Sequence, residues 1–447
     1  MKIIPVILIG CGGVGRQLLH HIVSCRPLHA KQGVHLRVIG VCDSRSLVVA
    51  SDVLTTELND KILSEICHVK LGGGSLSNLS NFGESKLFFN TEATKKVIDI
   101  ATLLGKATGL ACVDCSASSD TVNMLKQVVD LGCCIVLANK KPLTSTIVIH
   151  SYVFNKCNAT TIFDFGQSKS LGYVHAFSSF KSLFSLLFRI LQTLNLEILR
   201  SQEPQGTNVS GHRAICKDDY NKLITHPRRI RHESTVGAGL PVIVSLIRML
   251  SSGDPVHHII GSLSGTLGYI MSEVEEGKPL SQVVKVAKSL GYTEPDPRDD
   301  LSGMDVARKA LILARLLGQQ INLGDIKVES LFPKEMGPDV MPIDDFLNSG
   351  VLSLDNDIQE RVTKASSRGN VLRYACVVEC SSLRCEVGLQ EFPRESPLGR
   401  LKGSDNVLVV YSRCYNERPL VIQGAGAGND TTAAGVLADI LDLQDLF

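Results

Sequence analysis

A glycine turn near the N-terminus limits the fold of this chain more than any other feature of its sequence. Residues 3–9 form an apolar run, the next six read Gly-Cys-Gly-Gly-Val-Gly, and an apolar helix is predicted over residues 14–24. In a strand–turn–helix setting the first glycine permits the tight turn, the second lets the backbone approach a pyrophosphate, and the last lets the helix pack on the strand. The helix N-terminus adds N–H groups that attract phosphate. The pattern predicts a dinucleotide-binding domain of the Rossmann type, with cofactor contacts at Gly10, Gly12, Gly13, Val14 and Gly15.

The second predicted strand ends in residues that suit the adenosine ribose of such a cofactor. It covers residues 36–42 and is followed by Asp43, Ser44 and Arg45. An acid at this position binds the ribose hydroxyls, whereas a nearby arginine accommodates a 2′-phosphate. Because Asp43 and Arg45 are both present, the sequence leaves NAD and NADP open, with NADP or dual use mildly favoured.

Two further apolar runs, residues 111–116 and 133–138, are typical of buried parallel strands. Open α/β sheets bind ligands at the carboxyl ends of their strands. Ser116 and Lys140, which stand at those ends, are therefore expected to face the nicotinamide. For Lys140, an ordinary surface lysine after a strand is the alternative interpretation.

A cluster of charged residues follows in the second half of the chain. A predicted helix over residues 304–317 places Asp305 and Lys309 four residues apart on one face. Glu294 precedes it in a turn where prolines such as Pro297 are expected to exclude helix. Two carboxylates and an ammonium group brought together suit an amino-acid substrate and a proton transfer. A solvated salt bridge is the alternative interpretation of the Asp305–Lys309 pair.

Composition excludes several classes of function. A chain of 447 residues is long enough for two or three domains. Its net charge of +1 gives no excess of positive charge for binding nucleic acid or an anionic membrane surface. The 14 cysteines are scattered, and the C-x-x-C pair Cys112 and Cys115 lies inside an apolar run. Buried, reduced thiols without a metal or redox role are therefore predicted.

Neither a targeting segment nor a membrane span is predicted. The N-terminus runs directly into an apolar strand, without the features of a secretory or transit peptide. The most apolar long window, residues 182–199, is interrupted by Arg189 and Glu197, so it does not suit a bilayer. A cytoplasmic location is expected, and a plastid location stays open.

In chain order, seven segments of this sequence resemble homoserine dehydrogenases. The likeness covers the whole chain except about residues 147–217, and several of its motifs are long and idiosyncratic. The segments are residues 10–15, 113–116, 138–143, 233–241, 261–267, 291–309 and 424–435. The resemblance is to the short monofunctional plant and fungal type, so neither a preceding aspartate kinase domain nor a following regulatory domain is expected.

The resemblance implies roles for individual residues. Lys309 matches the lysine that moves the proton to or from the substrate oxygen. Asp305 and Glu294 match acids that hold the substrate, in particular its amino group. Lys140 matches a lysine beside both cofactor and substrate. Gly428, in a glycine-rich helix start, matches a cofactor contact, for which a helix-packing glycine is the alternative.

The resemblance also implies a bound monovalent cation, sodium in the family. Its ligands would be Glu233 and the backbone carbonyls of Val236, Ala238 and Leu240. One carboxylate with several carbonyls is a set of hard oxygen ligands, which suits a hard cation. The intervening glycines allow the backbone oxygens to turn inward.

The implied reaction is NAD(P)-dependent, reversible hydride transfer between L-homoserine and L-aspartate 4-semialdehyde, in threonine, methionine and isoleucine biosynthesis. The family pairs its subunits, so a homodimer is expected. Two alternatives remain: a related amino-acid dehydrogenase, and a cofactor-binding isoform whose catalysis is impaired by an insertion.

That insertion comprises residues 147–217, where the family has only a few residues. It contains seven of the 14 phenylalanines and seven Lys and Arg, but only three acids. A structureless loop of this length inside a compact domain is unusual. It is either a lineage-specific appendage, helical around residues 180–199, or translated non-coding sequence, and the second is favoured because both flanks rejoin the family pattern.

The predicted fold class is α/β: a Rossmann-type nucleotide-binding domain plus an α+β catalytic and dimerisation domain with an open mixed sheet. The first domain is expected to comprise residues 1–146 and 424–447, and the second residues 218–423. Strands of the second sheet are expected at residues 257–263, 371–379, 384–390 and 407–411. The basic run at residues 226–232 is expected to be a solvated surface segment.

Overall fold

Two β-sheets form the framework of the chain. The computed structural model describes residues 1–79, 83, 85–147 and 219–447. Within these ranges the chain forms a seven-stranded sheet in its first part and a six-stranded sheet in its second. Residues 148–217 of the predicted insertion, with the helix expected at residues 180–199, lie outside the described residues.

The first sheet has the strand order β4-β3-β2-β1-β5-β6-β7. Its strands are β1 (Lys2–Ile9), β2 (Val34–Cys42), β3 (Ser46–Val49), β4 (Lys86–Phe89), β5 (Ala111–Asp114), β6 (Cys134–Leu137) and β7 (Ile230–Arg231). Strands β2, β1, β5, β6 and β7 run parallel, whereas β3 and β4 pair antiparallel at one edge. The order reverses between β1 and β5, which places a ligand crevice at their carboxyl ends.

Helices cover both faces of this sheet. They are α1 (Gly13–Lys31), α2 (Asp60–Leu71), α3 (Asn90–Leu104), α4 (Thr121–Asp130) and α5 (Asp219–Ile224). Alternate residues of β1 enter different cores: Leu8 packs with α1 and α2, and Ile7 packs with α3 and α4. Burial on both faces explains the unbroken apolar run of the first strand.

The second sheet has the strand order β13-β12-β8-β10-β11-β9. Its strands are β8 (Val256–Ser262), β9 (Lys327–Val328), β10 (Asn370–Glu379), β11 (Arg384–Pro393), β12 (Asp405–Ser412) and β13 (Leu420–Ala425). Pairing is antiparallel except between β9 and β11. The open mixed sheet and its four predicted strands are confirmed.

The helices of the second part pack mainly on one face of this sheet. They are α6 (Val242–Ser251), α7 (Gly265–Glu275), α8 (Leu280–Ser289), α9 (Pro297–Leu301), α10 (Met304–Leu316), α11 (Ile343–Asp345) and α12 (Asp355–Ser366). The C-terminal helix, α13 (Asn429–Leu441), packs instead against α1 of the first part. One hydrophobic core contains residues of α3 and α4 as well as of α7, α8 and α10. The two sheets are therefore joined by shared apolar packing as well as by the backbone.

Three local predictions were wrong, each for an identifiable reason. Pro297 does not exclude helix but begins α9, because proline fits the first helical position, where the backbone N–H would have no intrahelical partner. The basic run is not simply solvated: Ile230 and Arg231 form β7, and Arg229 donates to the carbonyl of Gly132 at 2.8 Å. The glycine-rich segment that begins at Gly424 was predicted to start the C-terminal helix. Gly424 instead lies in β13, where it pairs with Asn406 of β12.

The cysteines differ from the prediction in one respect. The 12 described cysteines are free thiols, and most are buried or half-buried, but Cys414 is exposed. Burial raises the pKa of both Cys133 and Cys376 to about 12, so these thiols stay protonated.

Candidate active site

The glycine turn closes against the neighbouring strand, and only part of it has room for side chains. A Cβ atom on Gly10 would lie 2.6 Å from the backbone nitrogen of Ser116, and Gly10 has a left-handed φ of +88°. A Cβ on Gly15 would lie 2.1 Å from the carbonyl oxygen of Gly10, whereas one on Gly12 would meet nothing within 4 Å. Gly10 and Gly15 are thus required by packing, and the open space beside Gly12 fits a pyrophosphate.

The C-terminal helix begins beside the same turn. A Cβ on Gly13 would lie 2.6 Å from the side-chain amide of Asn429, the first residue of α13. One turn further along α1, Gln17 donates to Asp430 at 2.8 Å. Gly428, with a φ of +117°, directly precedes this helix. Gly428 therefore lies in the loop next to the glycine turn, as the sequence predicts.

Asn139 ties together the carboxyl ends of β5 and β6. Its buried side-chain amide donates to Asp114 at 3.0 Å, to Ser116 at 3.2 Å and to the Ser118 carbonyl at 2.7 Å. Asp114 also accepts from the backbone N–H of Ser116 at 2.9 Å. These bonds fix Ser116 and the neighbouring Lys140 at the same edge of the sheet.

Helix α10 brings its two charged residues to Lys140. The Lys309 Nζ lies 2.9 Å from Asp305 Oδ2, and the Lys140 Nζ lies 3.2 Å from Asp305 Oδ1. Lys309 also donates to the carbonyl oxygen of Leu263 at 2.6 Å. The Lys309 side chain is only 11% exposed, which does not fit a solvated salt bridge. The structure thus brings Lys140 to the Asp305–Lys309 pair, from which it is far apart in sequence.

Burial and the charges of this cluster shift the proton affinities of Asp305 and Lys140. Burial would raise the pKa of Asp305, but the ammonium groups of Lys309 and Lys140 outweigh it and hold that pKa well below its usual range. Burial lowers the pKa of Lys140, which Asp305 opposes and Lys309 reinforces. Asp305 is therefore a fixed negative charge, and Lys140 loses its proton more easily than an exposed lysine.

A third acid, Asp300, belongs to this region and was missed from sequence. Its Oδ2 accepts the backbone N–H of Glu294 at 2.8 Å. Burial raises the pKa of Asp300; the Glu294 N–H and the Thr266 hydroxyl oppose this, and the charges of Glu294 and Asp305 add to it. Asp300 lies in the short helix α9, where an acid in the first turn is typical of any helix, so no local signal separated it from a helix-stabilising charge.

The protein itself uses both carboxylate oxygens of Asp43. Oδ1 accepts the backbone N–H groups of Arg45 at 3.0 Å and Ser46 at 2.9 Å, and Oδ2 accepts Lys70 at 3.1 Å and the Leu76 N–H at 3.0 Å. Burial would raise the pKa of Asp43, but these donors outweigh it and lower that pKa to about 2. Asp43 therefore organises the loop after β2, whatever it contributes to a cofactor.

Replacing Asp43 by asparagine is expected to destabilise the protein by about 2 kcal/mol at pH 7, because the native pKa lies below the unfolded value of 3.8. A depressed pKa contributes stability above the unfolded value, and this is lost as the pH falls through the native pKa. The difference between the two proteins should therefore shrink from pH 4 towards pH 2. Urea unfolding across this pH range measures the difference, with Asp99→Asn, at an exposed position of α3, as control. An equal difference at both ends would contradict the assignment.

A cavity of about 680 Å³ opens beside Asp43. Its wall includes Ser44, Arg45, Lys70, Ser75 and Ser77. Lys70 neutralises Asp43, so Arg45 remains as a cation at the rim, surrounded by hydroxyl groups. Such a lining suits a phosphate monoester.

Glu233 lies in the predicted cation loop, in a short 3-10 turn, and its side chain binds the start of α6. Its two carboxylate oxygens accept the N–H groups of Ile243 at 2.6 Å and Val244 at 2.8 Å, and its own N–H donates to Asp439 at 2.8 Å. Burial raises the pKa of Glu233, although these N–H groups oppose it. Burial also raises the pKa of Asp439, to about 8. A cation near this pair would favour both ionised forms.

The backbone of the loop turns sharply between Val236 and Leu240. Gly237 and Ala238 have left-handed φ angles of +80° and +57°. The Leu240 carbonyl accepts the N–H of Val242 at 2.8 Å, which leaves its second lone pair for another partner. This donor set of one carboxylate and carbonyl oxygens fits a hard monovalent cation.

The described residues contain neither a membrane-spanning helix nor a side-chain metal cluster. No helix there is long and apolar enough to cross a membrane. No group of three or more His, Cys, Asp and Glu side chains suited to a metal ion occurs in the same ranges.

The sequence of this chain is similar to those of homoserine dehydrogenases. The family model described as homoserine dehydrogenase matches residues 241–441. A homoserine dehydrogenase of Emericella nidulans is 44% identical over 246 residues, which cover 53% of this chain and 67% of that protein. A bifunctional aspartokinase/homoserine dehydrogenase of Haemophilus influenzae is 29% identical over 98% of this chain, but the chain spans only 43% of that longer protein.

Solved structures resemble the fold over its full length. A Candida auris protein of unknown function has a TM-score of 0.72 at 26% identity, with 100% of this chain and 99% of that chain covered. A hyperthermophilic archaeal homoserine dehydrogenase in complex with NADPH has a TM-score of 0.60 at 20% identity, with 100% and 98% covered. At that identity the second likeness is evidence of fold alone.

Proposed function

The chain belongs to the homoserine dehydrogenase family, and from that premise we propose that it catalyses reversible NADP-dependent hydride transfer between L-homoserine and L-aspartate 4-semialdehyde. The observation that carries the proposal is the cluster in which Lys140 and Lys309 share the carboxylate of Asp305. It lies at the carboxyl end of the parallel strands, where this type of sheet binds its ligands.

Lys309 is the proposed proton donor and acceptor. The described residues take two of its three N–H donors, through Leu263 and Asp305, which leaves one for a substrate oxygen. NADP supplies the hydride chemistry at C4 of its nicotinamide ring. Lys309 gives a proton to the aldehyde oxygen during reduction and receives the hydroxyl proton during oxidation. Lys140 adds positive charge where the oxygen becomes negative.

Glu294 and Asp300 are the proposed partners of the substrate amino group. Burial raises the pKa of Asp300, and the charges of Glu294 and Asp305 raise it further, so the three carboxylates lie near enough to repel one another. An ammonium group placed among them relieves that repulsion. The substrate is therefore oriented by its amino end while its oxygen faces Lys309.

A substrate panel tests this assignment. With NADP, L-homoserine should be oxidised faster than L-threonine, L-serine or 4-hydroxybutyrate, which lacks the amino group. Equal turnover of 4-hydroxybutyrate would contradict the roles of Glu294 and Asp300. A preference for another amino alcohol would identify a related amino-acid dehydrogenase. Cofactor binding without turnover of any compound would identify a catalytically impaired isoform.

Preference for NADP over NAD is supported by the cavity beside Arg45. Asp43, the residue expected to bind ribose hydroxyls, already accepts four N–H groups from the protein. Arg45, in the wall of this cavity, can instead contact a 2′-phosphate. Replacing Arg45 by alanine should raise KM for NADP about tenfold and change KM for NAD less than twofold. Equal effects on both cofactors would contradict the preference.

We further propose that Glu233 and the carbonyls of Val236, Ala238 and Leu240 hold a monovalent cation, sodium by family resemblance. The melting temperature should then rise with sodium chloride but not with choline chloride at equal ionic strength. Glu233→Gln should remove this difference. A melting temperature that responds equally to both salts would exclude a specific site.

A homodimer is proposed from the family resemblance and from apolar exposure on α6. Val244 and Ile247, one turn apart on that helix, are 46% and 44% exposed. Light scattering after size exclusion should give twice the mass of one chain, and Val244→Asp with Ile247→Asp should give the monomer mass. A monomer at all concentrations would contradict the proposal. The cytoplasmic location and the domain division at residues 146, 218 and 424 stay predictions from sequence.

A further inference from the structure

The segment that follows Lys140 runs across to the far end of α10. Its first residues form a tight turn, in which the Lys140 carbonyl accepts the N–H groups of Leu143 and Thr144, each at 3.1 Å. Ser145 closes the turn by donating to the Pro142 carbonyl at 3.0 Å. We call residues 140–147 the strap. Because its first turn is fixed to the Lys140 carbonyl, any shift of the strap also shifts Lys140.

Arg315, near the end of α10, binds the middle of the strap. Its Nη1 donates to the Leu143 carbonyl at 2.6 Å, and its Nη2 donates to the Ser145 carbonyl at 2.9 Å. Its Nε donates to the Ile321 carbonyl at 3.1 Å, which holds the guanidinium to its own helix end. The ring of Tyr220 packs over the guanidinium at 4.7 Å. Arg315 is buried, so these bonds are shielded from water.

Asn322 binds the end of the strap. Its side-chain oxygen accepts the Ile147 N–H at 2.7 Å and Arg315 Nη2 at 3.2 Å, and its side-chain amide donates to the Ile147 carbonyl at 3.1 Å. A paired exchange of this kind mimics the bonding between two strands. Arg315 and Asn322 together therefore attach the strap at three successive points.

The same helix carries the cluster that Lys140 must reach. Asp305 lies ten residues before Arg315, a distance of about 15 Å along α10. The strap is thus held to one rigid element at both ends, by the Lys140–Asp305 ion pair and by Arg315. The buried side chains of Leu143 and Ile147 also hold the strap, and Arg315 adds its polar attachment to α10.

We propose that Arg315, supported by Asn322, is a positioning residue that holds Lys140 against Asp305 and Lys309 by clamping the strap to the end of α10. The inference rests on the proposed function for its kinetic consequences but not for its geometry. Arg315 touches neither the cluster nor any reacting atom. Its effect is therefore expected on turnover through Lys140, and not on the affinity of the glycine turn for NADP.

Replacing Arg315 by lysine tests the clamp, because lysine keeps the charge but loses the planar, forked donors. We expect kcat for homoserine to fall about 10- to 100-fold, since misplacement by 1 Å can cost this much. The dissociation constant of NADP, measured by calorimetry, should change less than about twofold. Asn322→Ala is a second, milder variant that should change kcat in the same direction. Arg368→Lys, at an exposed ion pair with Glu391, is the matched control.

A second mutation separates a positioning role from a merely structural one. In a Lys140→Met background, Arg315→Lys should change kcat less than about twofold, because its effect acts through Lys140. An equal fold-change in both backgrounds would overturn the proposal. So would a loss of NADP affinity equal to the loss of kcat.

A readout without turnover keeps the clamp testable if homoserine is not the substrate. Pulse labelling with an amine-reactive ester, followed by mass spectrometry, reports the accessibility of Lys140. Its labelling should rise about fivefold or more in Arg315→Lys, through local opening of the strap, while exposed Lys31 keeps its rate. Unchanged labelling of Lys140 would overturn the clamp, whereas raised labelling in a chain inactive on homoserine would refute only the proposed function.

Discussion

Replacing Lys309 by alanine is expected to lower kcat for homoserine about 1000-fold, within the range that a general acid–base group contributes. Lys309 lies between the Leu263 carbonyl and Asp305, and its remaining donor is the one proposed for the substrate oxygen. The proposed NADP site lies on other residues, so the dissociation constant of NADP should change less than about twofold. Steady-state kinetics and calorimetry measure the two quantities.

The control is Lys285→Ala, which removes an exposed lysine of α8 and should leave kcat within about twofold. Added ethylamine should restore part of the activity of Lys309→Ala if the lysine itself moves the proton. No rescue would favour a water relay instead. Equal losses of turnover and cofactor affinity would refute the role of Lys309.

Alanine should lower the stability of the protein at one glycine of the N-terminal turn and leave it almost unchanged at another. Gly15→Ala places a methyl group 2.1 Å from the Gly10 carbonyl, so α1 must move away from β1. We expect a loss of about 3 kcal/mol in unfolding free energy, because overpacking against backbone cannot relax locally. Gly12→Ala meets no atom within 4 Å, so stability should change by less than about 1 kcal/mol.

For Gly12, the large effect of alanine should be on cofactor affinity and not on stability. Its alanine variant should stay folded but fill the space where the pyrophosphate is proposed to bind. We expect affinity for NADP to fall about 10- to 100-fold, the cost of one charge-assisted hydrogen bond. Gly324→Ala, another position with no neighbour within 4 Å, is the control and should bind NADP normally. Unchanged NADP affinity in Gly12→Ala would place the pyrophosphate elsewhere.

Elements whose signals are local could be predicted from sequence. The first strand, its glycine turn and the start of α1 follow one another along the chain, and α10 begins at Met304, where the predicted helix begins. The pairing of Asp305 with Lys309 follows from helical spacing alone. The second half of α1 was missed because the helix continues past Pro27, where the buried side chain of His29 extends the face that Ile22 presents to the core.

Features that depend on distant residues could not be predicted. Arg315 looks like the basic end of an ordinary amphipathic helix, and its partners Leu143 and Ser145 offer only backbone carbonyls, which carry no sequence signal. The role of Asp43 is a second feature that depends on distant residues. Its type and place predict a ribose ligand, but Lys70 and Leu76, about thirty residues away, already use its carboxylate.

The insertion lies outside the described residues, but its flanks bear on how a shortened chain would behave. Ile147, the last described residue before it, is bonded to Asn322, and Tyr220, just after it, packs on Arg315. The hydrogen bond between Arg315 and Asn322 joins these two contacts. Both flanks are therefore anchored at the same point of the protein, and a chain lacking residues 148–218 should keep the strap in place.

The decisive experiment is homoserine-dependent reduction of NADP by the purified 447-residue chain, compared with the chain lacking residues 148–218. Both proteins should form NADPH with L-homoserine at comparable rates. Activity in the shortened protein alone would mean that the inserted segment blocks catalysis in this chain. If both proteins fold and bind NADP but neither reduces it with homoserine, the proposed reaction is contradicted.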